Sequence, residues 1–182
     1  SGYELLMIPG LMTLSAPLRA AIEGFVGLVL AGPRTNAKTA EFSIPLPLPP
    51  NLPGLNATIE YVESLRQTAK VPLTIPGNFI KWREQLATTG QIVATTTDGE
   101  PAIIEHGNIQ YVAGWGDQEV LVYLLENMCA KRNVATEKMP NSVRRRDTKN
   151  HRFYFNYANQ QRTIADRMIE PAGVIWVEHI ST

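Results

Sequence analysis

Apolar residues first appear in this chain as short continuous runs separated by a helical pattern. Leu5-Leu6-Met7-Ile8 stops at Pro9-Gly10, the mark of a strand buried on both faces, as in a parallel sheet. Ser15 stands where an N-cap belongs, and Pro17 is tolerated in a first turn. Leu18, Ala21, Ile22 and Phe25 then recur at i, i+3, i+4 and i+7, one apolar face of a helix. A second run, Gly27-Leu28-Val29-Leu30-Ala31, closes at Gly32-Pro33. Strand, helix and strand at this spacing predict a right-handed βαβ unit, and with it an open α/β sheet.

Residues 32–54 break the pattern. Pro33, Pro45, Pro47, Pro49, Pro50 and Pro53 forbid a helix or a central strand and favour polyproline II. Yet Phe42, Ile44, Leu46 and Leu48 alternate through the stretch. An extended segment this apolar needs a cover. It either lies across its own domain or forms an arm for another subunit or domain, and loops of this length usually carry such a role.

From 57 to 113 the text is mostly strand-like. Ile59, Tyr61 and Glu63 alternate with Glu60, Val62 and Ser64, and the β-branched run 92–97 ends at a turn signal, Asp98-Gly99. Residues 101–105 and 110–113 flank a turn at His106-Gly107-Asn108. The stretch 79–86 fits a short helix or a strand. A helix is predicted over 117–132, with Asp117 and Glu119 at its start, Lys131 and Arg132 at its end, and Leu121, Leu124, Leu125 and Met128 as its core face. After Pro140, the segments 142–146, 151–157, 163–164 and 174–177 read as short antiparallel strands. The predicted division is an α/β domain over 1–139 and a small β domain over 140–182, marginal as a core by itself.

Seventeen basic and seventeen acidic residues leave no net charge, which removes the field of a general nucleic-acid or anionic-membrane binder. No apolar run approaches the roughly 20 residues of a membrane span, and the N-terminus lacks signal-peptide features. A single cysteine, Cys129, cannot form an internal disulfide, so a cytoplasmic location is expected.

Cys129 falls late in the second helix rather than on a sharp strand-to-helix turn, so it reads as a packed residue and not a nucleophile. His106, His151 and His179 are scattered without zinc spacing, and no phosphate-binding glycine pattern is present. No metal and no cofactor are expected. Arg144-Arg145-Arg146 beside Phe153, Tyr154, Phe155 and Tyr157 could bind single strands, but the aromatics read as the core side of strands with the arginines outward. The carboxylate pair of a glycosidase is not recognisable, and a (β/α)8 barrel of about 200 residues does not fit in this chain.

Gly2-Tyr3-Glu4-Leu5-Leu6-Met7-Ile8-Pro9-Gly10-Leu11, Leu14-Ser15 and Gly32-Pro33-Arg34-Thr35-Asn36-Ala37-Lys38-Thr39 resemble the middle domain of glycoside hydrolase family 42 β-galactosidases. Trp82 with Glu84, Asp98-Gly99-Glu100-Pro101-Ala102 and Gly107 through Tyr111 follow in the family's order. Val143-Arg144-Arg145-Arg146 and Phe153-Tyr154-Phe155-Asn156 resemble the start of its C-terminal β domain. A shorter Phe25-Val26-Gly27 and Asn36 in place of a glycine depart from the pattern. The resemblance implies a flavodoxin-like, class I glutamine amidotransferase-like open sheet without that chemistry, whose first strand would lie upstream of Ser1. It implies homotrimer formation and a separate barrel that cleaves terminal β-galactosides with two glutamates, neither of which has a counterpart here. The galactoside would then be a partner only indirectly, and no catalytic residue is expected in this chain.

The expected function is structural: assembly of a β-galactosidase. Arg34, Thr35, Lys38, Phe42, Ile44 and Trp82, in or near the apolar arm, are the expected contact residues. Two alternatives are a carbohydrate-binding module using Trp82, Trp115 and Trp176, and a residual amidotransferase-type hydrolase using Cys129.

Overall fold

The computed structural model describes residues 2–164 and 166–178, so His179 lies outside the described residues. The chain forms two compact units, Ser1–Ala135 and Thr136–Thr182.

The first unit opens with β1 (Leu5–Ile8), α1 (Ala16–Glu23) and β2 (Leu28–Ala31). β1 and β2 are parallel, with Leu5 opposite Leu28 and Ile8 opposite Ala31, as the βαβ reading requires. The expected burial of β1 on both faces does not hold. β1 is an edge strand, and Met7 is exposed. α1 is also barer than its periodicity implies. Ile22 is its buried residue, Leu18 is exposed, Phe25 falls beyond its end, and Ser15 occupies the N-cap without a side-chain bond.

After the arm come β3 (Ala57–Ser64), β4 (Lys70–Pro72), β5 (Asn78–Thr88), β6 (Gln91–Thr95), β7 (Pro101–His106), β8 (Ile109–Val112), β9 (Gly114–Gly116) and α2 (Gln118–Lys131). The undecided stretch 79–86 is thus strand. The main sheet runs β1-β2-β8-β7-β6. β8 lies parallel to β2, and β7 and β6 return as antiparallel hairpins, so the sheet is mixed. β5 pairs with β3, β4 and β9 in a second, antiparallel sheet. The architecture is α/β with strand well in excess of helix.

Alternation along the central strands gives the main sheet two covered faces. Val29, Ala31, Ile104 and Tyr111 pack with Ile22 and with Leu52 and Leu55 at the end of the arm. Leu30, Ile103 and Val112 pack with Phe79 and with α2 on the other face. The core face of α2 is Val120, Leu124 and Met128, rotated one residue from the predicted stripe; Leu121 is exposed. The cause is the N-cap. Asp117 Oδ1 accepts the Val120 N–H at 3.2 Å, while its Oδ2 accepts the Asn78 N–H at 3.1 Å and the Asn78 side-chain amide at 2.9 Å. Tying the first turn of α2 to β5 in this way sets the helix rotation. Gly114 lets β9 approach, since a Cβ there would sit 2.5 Å from the Phe79 ring.

The second unit holds β10 (Val143–Asp147), β11 (His151–Asn156), β12 (Arg162–Ile164), β13 (Arg167–Ile169) and β14 (Val174–Glu178). β10, β11 and β14 form an antiparallel sheet, and β12 pairs with β13. Its core is Val143, Tyr154, Ile164 and Ile169. The aromatics do not all face inward as expected. Tyr154 is buried, but Phe153, Phe155 and Tyr157 line the opposite face with His151 and Trp176. The inward position that the aromatic run leaves open is taken by Asn156, whose amide donates to the carbonyls of Gln160, Ile169 and Glu170.

Candidate interface site

The arm is not a smooth polyproline helix. Arg34, Asn36, Phe42 and Asn51 all have positive φ, so the segment is a chain of turns. Non-glycine residues in that region are held there by their surroundings, and the fastenings are visible. The Thr35 hydroxyl donates to the Gly32 carbonyl at 2.7 Å. The Asn36 amide side chain donates to the Pro50 carbonyl at 3.1 Å, and its peptide N–H donates to Leu11 O at 2.8 Å. The Lys38 N–H donates to Met12 O at 2.9 Å, and Thr39 and Ser43 close a small loop carrying Phe42.

The strongest fastening is a buried carboxylate. Glu84, on β5 and 3% exposed, accepts the Arg34 peptide N–H at 2.8 Å and the Trp82 indole N–H at 3.3 Å. Its other oxygen accepts the Tyr111 hydroxyl at 2.5 Å. Burial pushes the Glu84 carboxyl above its ordinary range, against the pull of these three donors. Burial, and then the neighbouring Glu84 charge, pushes the Tyr111 phenol up. The Arg34 guanidinium lies 5.5 Å over the Trp82 ring, a cation–π contact. Three separate pieces of chain, the 34–38 turn, β5 and β8, therefore meet on one carboxylate.

While its backbone is fixed, the apolar side chains in the middle of the arm are not covered. Phe42 is 71% exposed, Ile44 62%, Leu46 86% and Leu48 41%. The two ends are covered: Pro33, Thr35 and Asn36 are buried at the start, and Pro49, Pro50, Leu52 and Leu55 at the far end, where Leu52 and Leu55 join the core of the unit. Tyr61 and Val62 on β3 extend the exposed apolar area. A groove of about 360 Å3 runs between arm and sheet, lined by Met12, Arg34, Lys38, Ile44, Leu48, Tyr61, Trp82 and Glu84 among others.

Four of the six expected contact residues, Arg34, Lys38, Ile44 and Trp82, line this one groove, and Phe42 stands on the adjoining turn. Thr35 differs. It is fully buried and holds the turn, so it offers no surface. Sequence reasoning passed over Glu84 and Tyr111 as site residues. The available signal was a charge at an inward-facing position of a strand, sharing a face with Trp82 and Leu86. Cys129 is half-buried on α2, away from any strand-to-helix turn. Among the described residues, no helix is long and apolar enough to cross a membrane.

A family model described as "Beta-galactosidase trimerisation domain" matches residues 1–135. The β-galactosidase BgaA of a Thermus species and a β-galactosidase of Thermus thermophilus are each 30% identical over 164 residues. The matches cover 86% of this chain and 25% of each relative, so the chain spans about a quarter of the length of the curated relatives it matches. The crystal structure of a β-galactosidase from the psychrophilic Marinomonas ef1 superposes with a TM-score of 0.84 at 26% identity, over 96% of this chain and 29% of that one. A β-galactosidase from the haloarchaeon Halorubrum lacusprofundi shares the fold, with a TM-score of 0.81 at 22% identity over 98% of this chain and 32% of that one.

Proposed function

We infer the function of this chain from its family: it belongs to the β-galactosidase trimerisation domains, and the arm is its assembly element. One observation carries this reading. A buried carboxylate clamp fixes the arm while Phe42, Ile44, Leu46 and Leu48 project from it uncovered. Burying a side chain of this kind against protein contributes about 1.5–3 kcal/mol, so leaving four of them in water makes sense only if a partner covers them.

On this reading the chain is a non-catalytic portion of a β-galactosidase. Cleavage of terminal β-galactosides belongs to a barrel domain elsewhere in the whole enzyme, and galactoside concerns this chain indirectly. Residues 1–139 serve assembly, and 140–182 form a small β domain. The parallel β1-α1-β2 start supports a flavodoxin-like, amidotransferase-related sheet, and the lone cysteine fits a cytoplasmic setting. Arg34, Lys38, Phe42, Ile44 and Trp82 are the proposed contacts. Arg34 covers one face of Trp82, which disfavours sugar stacking there.

Light scattering on the 182-residue chain tests the reading. The expected mass is three times 20.2 kDa, falling toward the monomer in an Ile44→Asp, Leu46→Asp variant of unchanged circular dichroism. A parent chain that stays monomeric at high micromolar concentration refutes assembly by this unit.

A further inference from the structure

A three-membered ring cannot be built from a self-complementary patch. Isologous contacts pair two copies about a two-fold axis, so a closed trimer needs two different patches that meet head to tail. The arm supplies one of them. The first unit carries a second patch of opposite shape, a groove of about 130 Å3 where β1, β2 and β8 end. Met7, Pro9, Leu30, Pro33, Trp115 and Leu121 contribute to its walls, and no charged side chain lines it. Ligands of α/β sheets commonly bind at the carboxyl ends of strands, but a phosphate would find no charged side chain here. An apolar cavity of comparable size, about 150 Å3, accepts a benzene ring.

Phe42 is the largest side chain on the arm. It stands on a turn at φ +62° and is not seated in the groove of its own chain, since it is 71% exposed. The two patches adjoin, because Pro33 lines the apolar groove and the next residue, Arg34, lines the groove beside the arm. We propose that Phe42 of one copy inserts into the Met7–Trp115–Leu121 groove of the next copy, three such contacts closing the ring. The proposal rests on the trimer reading above and names the surface that the arm meets.

The test is disulfide trapping in a Cys129→Ser background of the 182-residue chain. Phe42→Cys is combined in turn with Met7→Cys, Trp115→Cys and Leu121→Cys, and light scattering is run on every variant. At least one pair is expected to oxidise to a covalent trimer that reducing agent dissolves, whereas Phe42→Cys alone gives no covalent ladder. A scattering trimer in which none of the three pairs cross-links overturns the insertion and leaves the trimer reading standing. So does efficient dimer formation by Phe42→Cys alone, which would mean an isologous contact. A monomer by scattering before any cysteine is introduced removes the trimer reading itself, and the insertion with it.

Discussion

Replacing Tyr111 with phenylalanine removes one oxygen and tests the clamp directly. The Tyr111 side chain is fully buried, so the ring keeps its packing against Val29, Ile104 and Ile109. What disappears is the 2.5 Å hydrogen bond to Glu84, one of three that the buried carboxylate receives. A hydrogen bond to a charged group contributes about 1.5–3 kcal/mol, and more of that is lost when the partner stays buried without a replacement. Glu84 is 3% exposed, at the wall of the groove, so a lost donor is at best partly replaced, and about 2 kcal/mol is the expected cost. With a urea slope of about 1–3 kcal/mol per molar, the midpoint should fall by roughly 1 M at unchanged slope. The assay is equilibrium urea unfolding followed by far-ultraviolet circular dichroism and by tryptophan fluorescence, which senses Trp82 beside the clamp. Tyr111→Phe combined with Glu84→Gln should cost less than the two single changes added, because both act on one hydrogen bond. A Tyr111→Phe loss within about 0.5 kcal/mol of zero, the range of ordinary surface changes, would show that Glu84 is not held as described.

Two further outcomes follow from the same structure. Burial raises the Glu84 carboxyl above its ordinary 4.5, so the folded state binds that proton more tightly than the unfolded one. Its contribution is therefore fully present below about pH 4.5 and lost as pH rises through the raised value. Glu84→Gln should lack this loss, so the stability difference between variant and parent, read from urea midpoints, should move in the variant's favour as pH rises from 4.5; a difference independent of pH refutes the burial argument. In the second unit, Asn156→Ala removes the buried amide that donates to the Gln160, Ile169 and Glu170 carbonyls, of which Glu170 O keeps the Gly173 N–H, at a cost of roughly 2 kcal/mol. Hydrogen exchange in β11 and β14 should quicken at least tenfold while α2 is unchanged, and equal quickening in both would refute a local role.

The parts legible in the sequence were those set by local periodicity. Continuous apolar runs around a helical repeat identified β1, α1 and β2 as a parallel unit, because a helix between two strands carries the chain back to the same end of the sheet. The Asp98-Gly99 and His106-Gly107-Asn108 turns marked the hairpins, and charges at both ends marked α2. The density of proline excluded helix and central strand from 32–54, though the polyproline II it favoured gave way to a chain of turns, and the alternation of Phe42, Ile44, Leu46 and Leu48 singled out the segment as one that must be covered.

Tertiary structure decided what those local signals could not carry. The strand reading of 79–86 depends on three partners, β3, β4 and β9, that lie far away in sequence. The rotation of α2 depends on Asp117 reaching back to Asn78. Above all, whether the arm covers its own domain or faces outward depends on where Glu84 and Tyr111 stand relative to Arg34, 50 and 77 residues away in the chain. Hydrophobic periodicity states that a side chain needs burial, but it does not say against what. That answer lies in non-local hydrogen bonds, which fix the arm's backbone to the sheet while Phe42, Ile44, Leu46 and Leu48 stay exposed.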